Sequence, residues 1–148
     1  MARDVAAWAG YAGIAKVVEG MRGELVEYQD AQGRTLFDVA EGRIVEGKMP
    51  VPVRFVAEYN NLVLGHANRS RVLPDEHRKK VLLTAGRVMA TVLIDGFVGG
   101  VWKVEKEKKT TRIRVELFAE PTAKLRKQVL AEAERLAAFC EAGEVAIQ

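Results

Sequence analysis

The dipeptide Asp95-Gly96 lies between two β-rich runs, Arg87–Ile94 and Phe97–Val104, and a third run, Thr110–Phe118, follows closely. Asp-Gly readily takes the pair of positive φ angles that a two-residue hairpin turn requires, and that turn matches the right-handed twist of the strands it joins. The charged run Glu105, Lys106, Glu107, Lys108 and Lys109 then suits the solvated tip of a second hairpin. Upstream, Val53–Val56, Leu62–Leu64 and Val81–Leu83 are further strand candidates. Short strands at close spacing with Gly-rich breaks predict a small antiparallel β-barrel-like domain or a strongly curled sheet. Downstream, Pro121 opens a helix whose Leu125, Val129, Glu132, Leu136 and Phe139 fall on or near one face, with Gly143 as its stop. Such a helix is expected to pack across the sheet and cover an open edge.

The first forty residues have a different texture. Val5, Ala6, Trp8 and Ala9 have helical spacing, and Asp4 stands where a carboxylate suits the helix dipole. After a break at Gly10-Tyr11, Ile14, Val17, Val18 and Met21 form the apolar stripe of a second helix within Ala12–Met21. Leu25–Tyr28 and Thr35–Val39 read as strands around the turn residues Asp30–Gly33. Helix, tight turn, helix and hairpin together describe a partial winged helix. The expected organisation is α+β: a partial winged helix over residues 1–41, a Gly- and Pro-containing linker over 42–52, and over 53–148 the barrel-like domain with its C-terminal helix.

Composition narrows the function classes. The chain has 148 residues, 49% hydrophobic and 29% charged, which is enough for a real core and unlike a disordered chain. A formal charge of +3 permits contact with nucleic acid without requiring it. The single cysteine, Cys140, can form neither an internal disulfide nor a cysteine-based zinc site. No apolar stretch approaches the length of a membrane span, and the N-terminus has no basic leader before an apolar run, so a cytoplasmic location is expected.

Polar residues concentrate in Tyr59-Asn60-Asn61, in His66-Ala67-Asn68-Arg69-Ser70-Arg71 and in His77-Arg78-Lys79-Lys80. Arg and Lys suit phosphate oxygens, while Asn and His suit base edges or sugars. The same residues also suit a solvated loop with capping side chains. A second basic stretch, Lys103 to Arg114, fits either a β-ribbon laid along a nucleic acid or a hairpin end kept soluble by its charge. The helix in the recognition position carries one Lys and one Glu among small apolar residues, which favours packing over base reading. Trp8 and Trp102 lie on apolar faces and are expected in the core, and Cys140 is expected to pack. His66 and His77 lack the spacing of a helical metal pair, and no phosphate-cradling glycine loop is present. The residues therefore indicate no catalytic centre, no metal and no cofactor. Base excision would have to use Glu58 or His66, whose spacing gives it no support.

The run Arg54-Phe-Val-Ala-Glu-Tyr-Asn-Asn-Leu-Val-Leu-Gly-His-Ala-Asn-Arg-Ser-Arg-Val72, together with Leu93-Ile-Asp-Gly-Phe-Val-Gly-Gly-Val-Trp102, resembles the C-terminal region of the AlkZ-like DNA glycosylase family of winged-helix proteins. Asp4-Val-Ala-Ala-Trp-Ala-Gly10 is similar to the start of that family's third winged helix. The resemblance implies stacked winged helices ending in a β-barrel-like domain, with a concave surface for double-stranded DNA. It also implies that the catalytic Gln-x-Gln or Gln-x-Asp motif belongs to an N-terminal region outside these residues. Gln29-Asp-Ala-Gln32 has the wrong spacing for it.

Relatives tend to carry Asp where this chain has Asn60 and Asn68, and each exchange replaces a carboxylate by an amide that both donates and accepts. His66, Arg69 and Arg71 match the relatives' motif, and the expected DNA contacts are Asn60, His66, Asn68, Arg69, Arg71, Lys79 and Lys80. The expected function is a DNA-binding module without catalysis of its own. The alternatives are an interaction module, which self-associates or packs on further winged-helix domains, and a glycosylase acting on alkylated bases or crosslinks.

Overall fold

The computed structural model describes residues 1–44, 49–107 and 110–148, without the side chain of Glu107. The expected linker at 42–52 and the hairpin tip at Lys108 and Lys109 lie partly or wholly outside the described residues. The chain is a mixed α+β protein that divides into two compact units, Met1–Met49 with Asn61–Arg69, and Pro50–Asn60 with Ser70–Gln148.

In the first unit, helix α1 (Ala2–Ala9) ends at Gly10, which takes the left-handed conformation at φ 63 and donates its N–H to the Ala6 carbonyl. Helix α2 (Ile14–Gly20) follows, and then the antiparallel hairpin β1 (Leu25–Gln29) and β2 (Thr35–Val39), in register from Leu25 opposite Val39 to Gln29 opposite Thr35. Asp30 builds the turn: its carboxylate accepts the backbone N–H groups of Gln32 and Arg34 and the Arg34 Nε at 2.6 Å. The Arg34 N–H bond leads, partial desolvation opposes it, and the net result holds the Asp30 carboxyl below its ordinary range. Trp8 departs from expectation, with 66% of its surface exposed. The apolar face of α1 therefore does not enter the core of its unit.

The segment Leu62–Leu64, expected as a strand, belongs to a short helix α3 (Asn61–Leu64) closed by the Gly65 N–H on the Asn61 carbonyl at 2.7 Å. A three-residue apolar run carries no period of its own, so local hydrogen bonding decided it.

In the second unit, five strands run in the order β3 (Arg54–Val56), β4 (Thr91–Ile94), β5 (Phe97–Glu107), β6 (Thr110–Leu117) and β7 (Glu144–Ile147). The first three pairings are antiparallel, but β6 and β7 pair in parallel, so the expected wholly antiparallel sheet is corrected at that edge. The return path is α5 (Ala123–Phe139), a crossover that a parallel pair requires. Asp95 and Gly96 take φ 50 and φ 83, as the sequence required of that turn. The register slips between Val92 and Leu93, which face Gly100 and Val98, leaving Gly99 as the extra residue of a bulge. A Cβ at Gly100 would meet the Glu116 carbonyl oxygen at 2.6 Å, so the close strand approach there needs glycine.

Strand β4 begins later than expected, at Thr91. Residues Thr84–Gly86 form a 3-10 turn with Ala85 and Gly86 at positive φ, and upstream only Leu82 and Val88 bridge. The expected strand Val81–Leu83 is likewise corrected, because Val81 closes the short helix α4 (Arg78–Val81).

The core lies between the sheet and α5, where Val53, Val92, Ile113, Val115, Val129, Ala133 and Ala137 are buried and Trp102, Leu125, Leu136 and Cys140 pack around them. The Thr122 hydroxyl accepts the Leu125 N–H and caps α5. The helix ends at Phe139 rather than at Gly143, and the left-handed residue after it is Glu141 at φ 52. The Ala142 N–H reaches back to the Ala137 carbonyl and satisfies that end. Phe139 falls off the packed face and is 86% exposed. Glu132 points toward Arg54 at 3.6 Å and Arg135 at 3.0 Å. Among the described residues no helix is long and apolar enough to cross a membrane.

Candidate functional site

The residues singled out by sequence fall into both units, and each group is built by its own unit. In the first, His66, Ala67, Asn68 and Arg69 follow α3. The Asp4 carboxylate of α1 accepts the Ala67 N–H at 3.0 Å, a bond spanning 63 residues of chain, and so anchors the segment that carries them. Partial burial pushes the Asp4 carboxyl up. Bonds from the Met1 ammonium and Ala67, together with the charge of His66, outweigh this and hold it below its ordinary range. The Nδ1 of His66 is buried and meets no hydrogen-bond partner among the described residues. Asn68 is half-buried. Arg69 donates its Nε to the Val63 carbonyl at 2.9 Å, which fixes the base of its guanidinium on α3.

In the second unit, Arg71 closes the 3-10 turn Arg69–Arg71 and is exposed. Asn60 is half-buried after Tyr59, which takes φ 58. The turn Asp75–His77 leads into α4, where Arg78, Lys79 and Lys80 are exposed. His77 and Lys80 both meet Phe118, the first with ring centroids 4.6 Å apart and the second with Nζ 4.6 Å from the ring centroid. Phe118 thus orders one side of α4 and leaves Lys79 directed to solvent.

The charges of the two basic stretches are used differently. In the stretch Lys103 to Arg114, Lys103 and Arg114 share Glu105, at 2.8 and 3.1 Å, and Arg112 holds Glu144 at 2.6 Å. The hydrogen bond from Lys103 leads in pulling the Glu105 carboxyl down; desolvation opposes it, and Arg114 adds to the lowering. Those three cations are held by two carboxylates within the hairpin and its neighbour strand. Arg22, Arg34, Arg54, Arg87 and Arg135 also hold carboxylates. Arg69, Arg71, Arg78, Lys79 and Lys80 hold none among the described residues.

Local pattern does not reveal two of the contributors. In sequence Asp4 is a dipole residue, and its bond to Ala67 is a tertiary contact that no spacing encodes. Phe118 is in sequence a strand end, and its role under α4 depends on where the sheet stops. A basic turn followed at long range by an aromatic carries no short-range signal.

Cations without carboxylate partners, together with half-buried amide and imidazole groups, are chemistry suited to a polyanion. The family model for "AlkZ-like: DNA glycosylase AlkZ-like" matches residues 1–139. The chain belongs to the AlkZ-like DNA glycosylase family. This AlkZ-like chain is similar in structure to the Streptomyces sahachiroi DNA glycosylase AlkZ, with a TM-score of 0.76 and 23% sequence identity over 100% of its own residues. It spans 41% of that protein's chain. At this identity the likeness establishes a shared fold. No curated protein matches the AlkZ-like chain by sequence.

Proposed function

We propose that the chain is a DNA-binding module of a winged-helix, glycosylase-type DNA repair protein, without a base-excising centre among its own residues. In this reading residues 1–41 are a partial winged helix and 42–52 a linker, while 53–148 are a barrel-like domain closed by α5. The order α1, α2 and hairpin supports the first assignment, and the bulged sheet under α5 supports the last. Arg69, Arg71, Lys79 and Lys80 hold the phosphate backbone of double-stranded DNA, and Asn60, His66 and Asn68 face the nucleotide. The observation that carries the reading is the contrast in charge pairing: the cations from Arg69 to Lys80 have no carboxylate partner among the described residues, whereas Lys103, Arg112 and Arg114 of the long hairpin do.

Affinity for duplex DNA at two salt concentrations tests it. Binding is expected to weaken steeply with salt, and Arg71→Ala with Lys79→Ala should lower the log–log slope by about 0.9 for each phosphate that is no longer neutralised. No release of alkylated bases is expected from the chain alone. Absence of binding at low salt overturns the proposal, and base release that disappears in His66→Ala moves the function to catalysis. A second reading, an interaction module, is favoured by the exposed Trp8, Tyr11 and Val17 of the first unit.

A further inference from the structure

Tyr59 is held in a conformation its own chemistry disfavours. Its φ of 58 lies in the left-handed region, where a bulky side chain is an outlier and Gly or Asn is the usual occupant. Asn60 stands one position later, so turn chemistry gives no reason for tyrosine at 59. The turn is fixed from below. Phe55 stacks on Trp102 with ring centroids 5.9 Å apart, the Trp102 Nε1 donates to the Val56 carbonyl at 3.0 Å, and Glu58 pairs with Arg87 at 3.4 Å. Despite that support, 54% of the Tyr59 surface is exposed. Backbone strain retained beneath an exposed aromatic fits a side chain kept for contact rather than for folding.

We propose that Tyr59 is a nucleobase-stacking residue, whose ring receives the face of an unpaired base. The proposal rests on the DNA-binding reading and deepens it. An aromatic ring offers every base a π surface without reading sequence, and a preorganised ring loses little freedom on contact. A base inside intact duplex is already stacked on both faces and gains nothing. A base at a bulge or strand end has a free face to offer.

The test uses the full chain and two DNAs of the same sequence, one an intact duplex and one carrying a single bulged 2-aminopurine. The wild type is expected to prefer the bulged DNA by about 5- to 150-fold, the range that base–aromatic stacking supports, and to quench the 2-aminopurine fluorescence. Tyr59→Phe keeps both effects. Tyr59→Gly and Tyr59→Ala lose both and bind intact duplex as the wild type does. The glycine variant melts no lower than the alanine variant, because glycine accepts the positive φ. Equal affinity of the wild type for the two DNAs, or a preference that survives in Tyr59→Gly, overturns the assignment of Tyr59 while duplex binding stands. Failure of the wild type to bind either DNA at low salt overturns the DNA-binding reading and this inference with it.

Discussion

Glu105 shows how one carboxylate can decide what a basic stretch is for. It draws Lys103 and Arg114 onto one site on β5 and β6, so a run that in sequence fits either a nucleic-acid ribbon or a solvated hairpin end has part of its charge offset within the fold. Its folded carboxyl titrates below the ordinary range, so its contribution to stability is complete above the unfolded value and is lost as pH falls through the folded one. Glu105→Gln should therefore lower the melting temperature near neutral pH, with the gap to the wild type closing as pH drops below about 4. A gap that does not change with pH would mean that packing rather than charge accounts for the loss. His66, Asn68 and Arg69 are recognisable as candidates by residue type. Their support by Asp4 and by the Val63 carbonyl is not, because both are contacts made by the fold.

Elements whose apolar pattern is long enough to show a period follow the sequence. Helices α1 and α2, the β1–β2 hairpin, the β4–β5 turn, the body of β6 and the capped α5 all stand close to where the residues predict them. The misplaced ones are short. Leu62–Leu64 and Val81–Leu83 are apolar triplets that fit either a strand or one helical turn; the first became a turn, while in the second Val81 ends α4 and Leu82 is extended and bridges Val88. The four residues of β7 follow a helix stop and show almost no alternation, and their pairing depends on α5 returning them beside β6. Within β5, the Gly99-Gly100 step lets the sheet bend and lets β6 come close. Gly100→Ala should cost about 1–3 kcal/mol, measured by denaturant unfolding, since the new methyl meets backbone that cannot yield without breaking the β5–β6 ladder. A substitution without effect would mean that the ladder can open there.

At the scale of the whole molecule, the two units differ in how completely they bury their apolar residues. The sheet and α5 enclose a continuous core, whereas α1 buries none of its residues and leaves Trp8 exposed. Exposed aromatics of this kind favour association. Sedimentation at two protein concentrations is expected to show concentration-dependent self-association that Trp8→Ser reduces while duplex binding is retained. A strict monomer at every concentration would remove the interaction reading, and loss of DNA binding together with the dimer would tie the two functions to one assembly.

Local sequence was sufficient for what depends on neighbours along the chain: the helical stripes, the Asp95-Gly96 turn, the α+β character and the residue types able to meet a polyanion. The family resemblance was legible for the same reason, since it rests on contiguous motifs. Tertiary structure alone decided the parallel edge strand, the exposure of Trp8 and Phe139, the strained setting of Tyr59 and which cations meet a carboxylate. A carboxylate beside a cation lowers its local charge, and whether one stands there depends on residues tens of positions away, as Glu144 beside Arg112 shows.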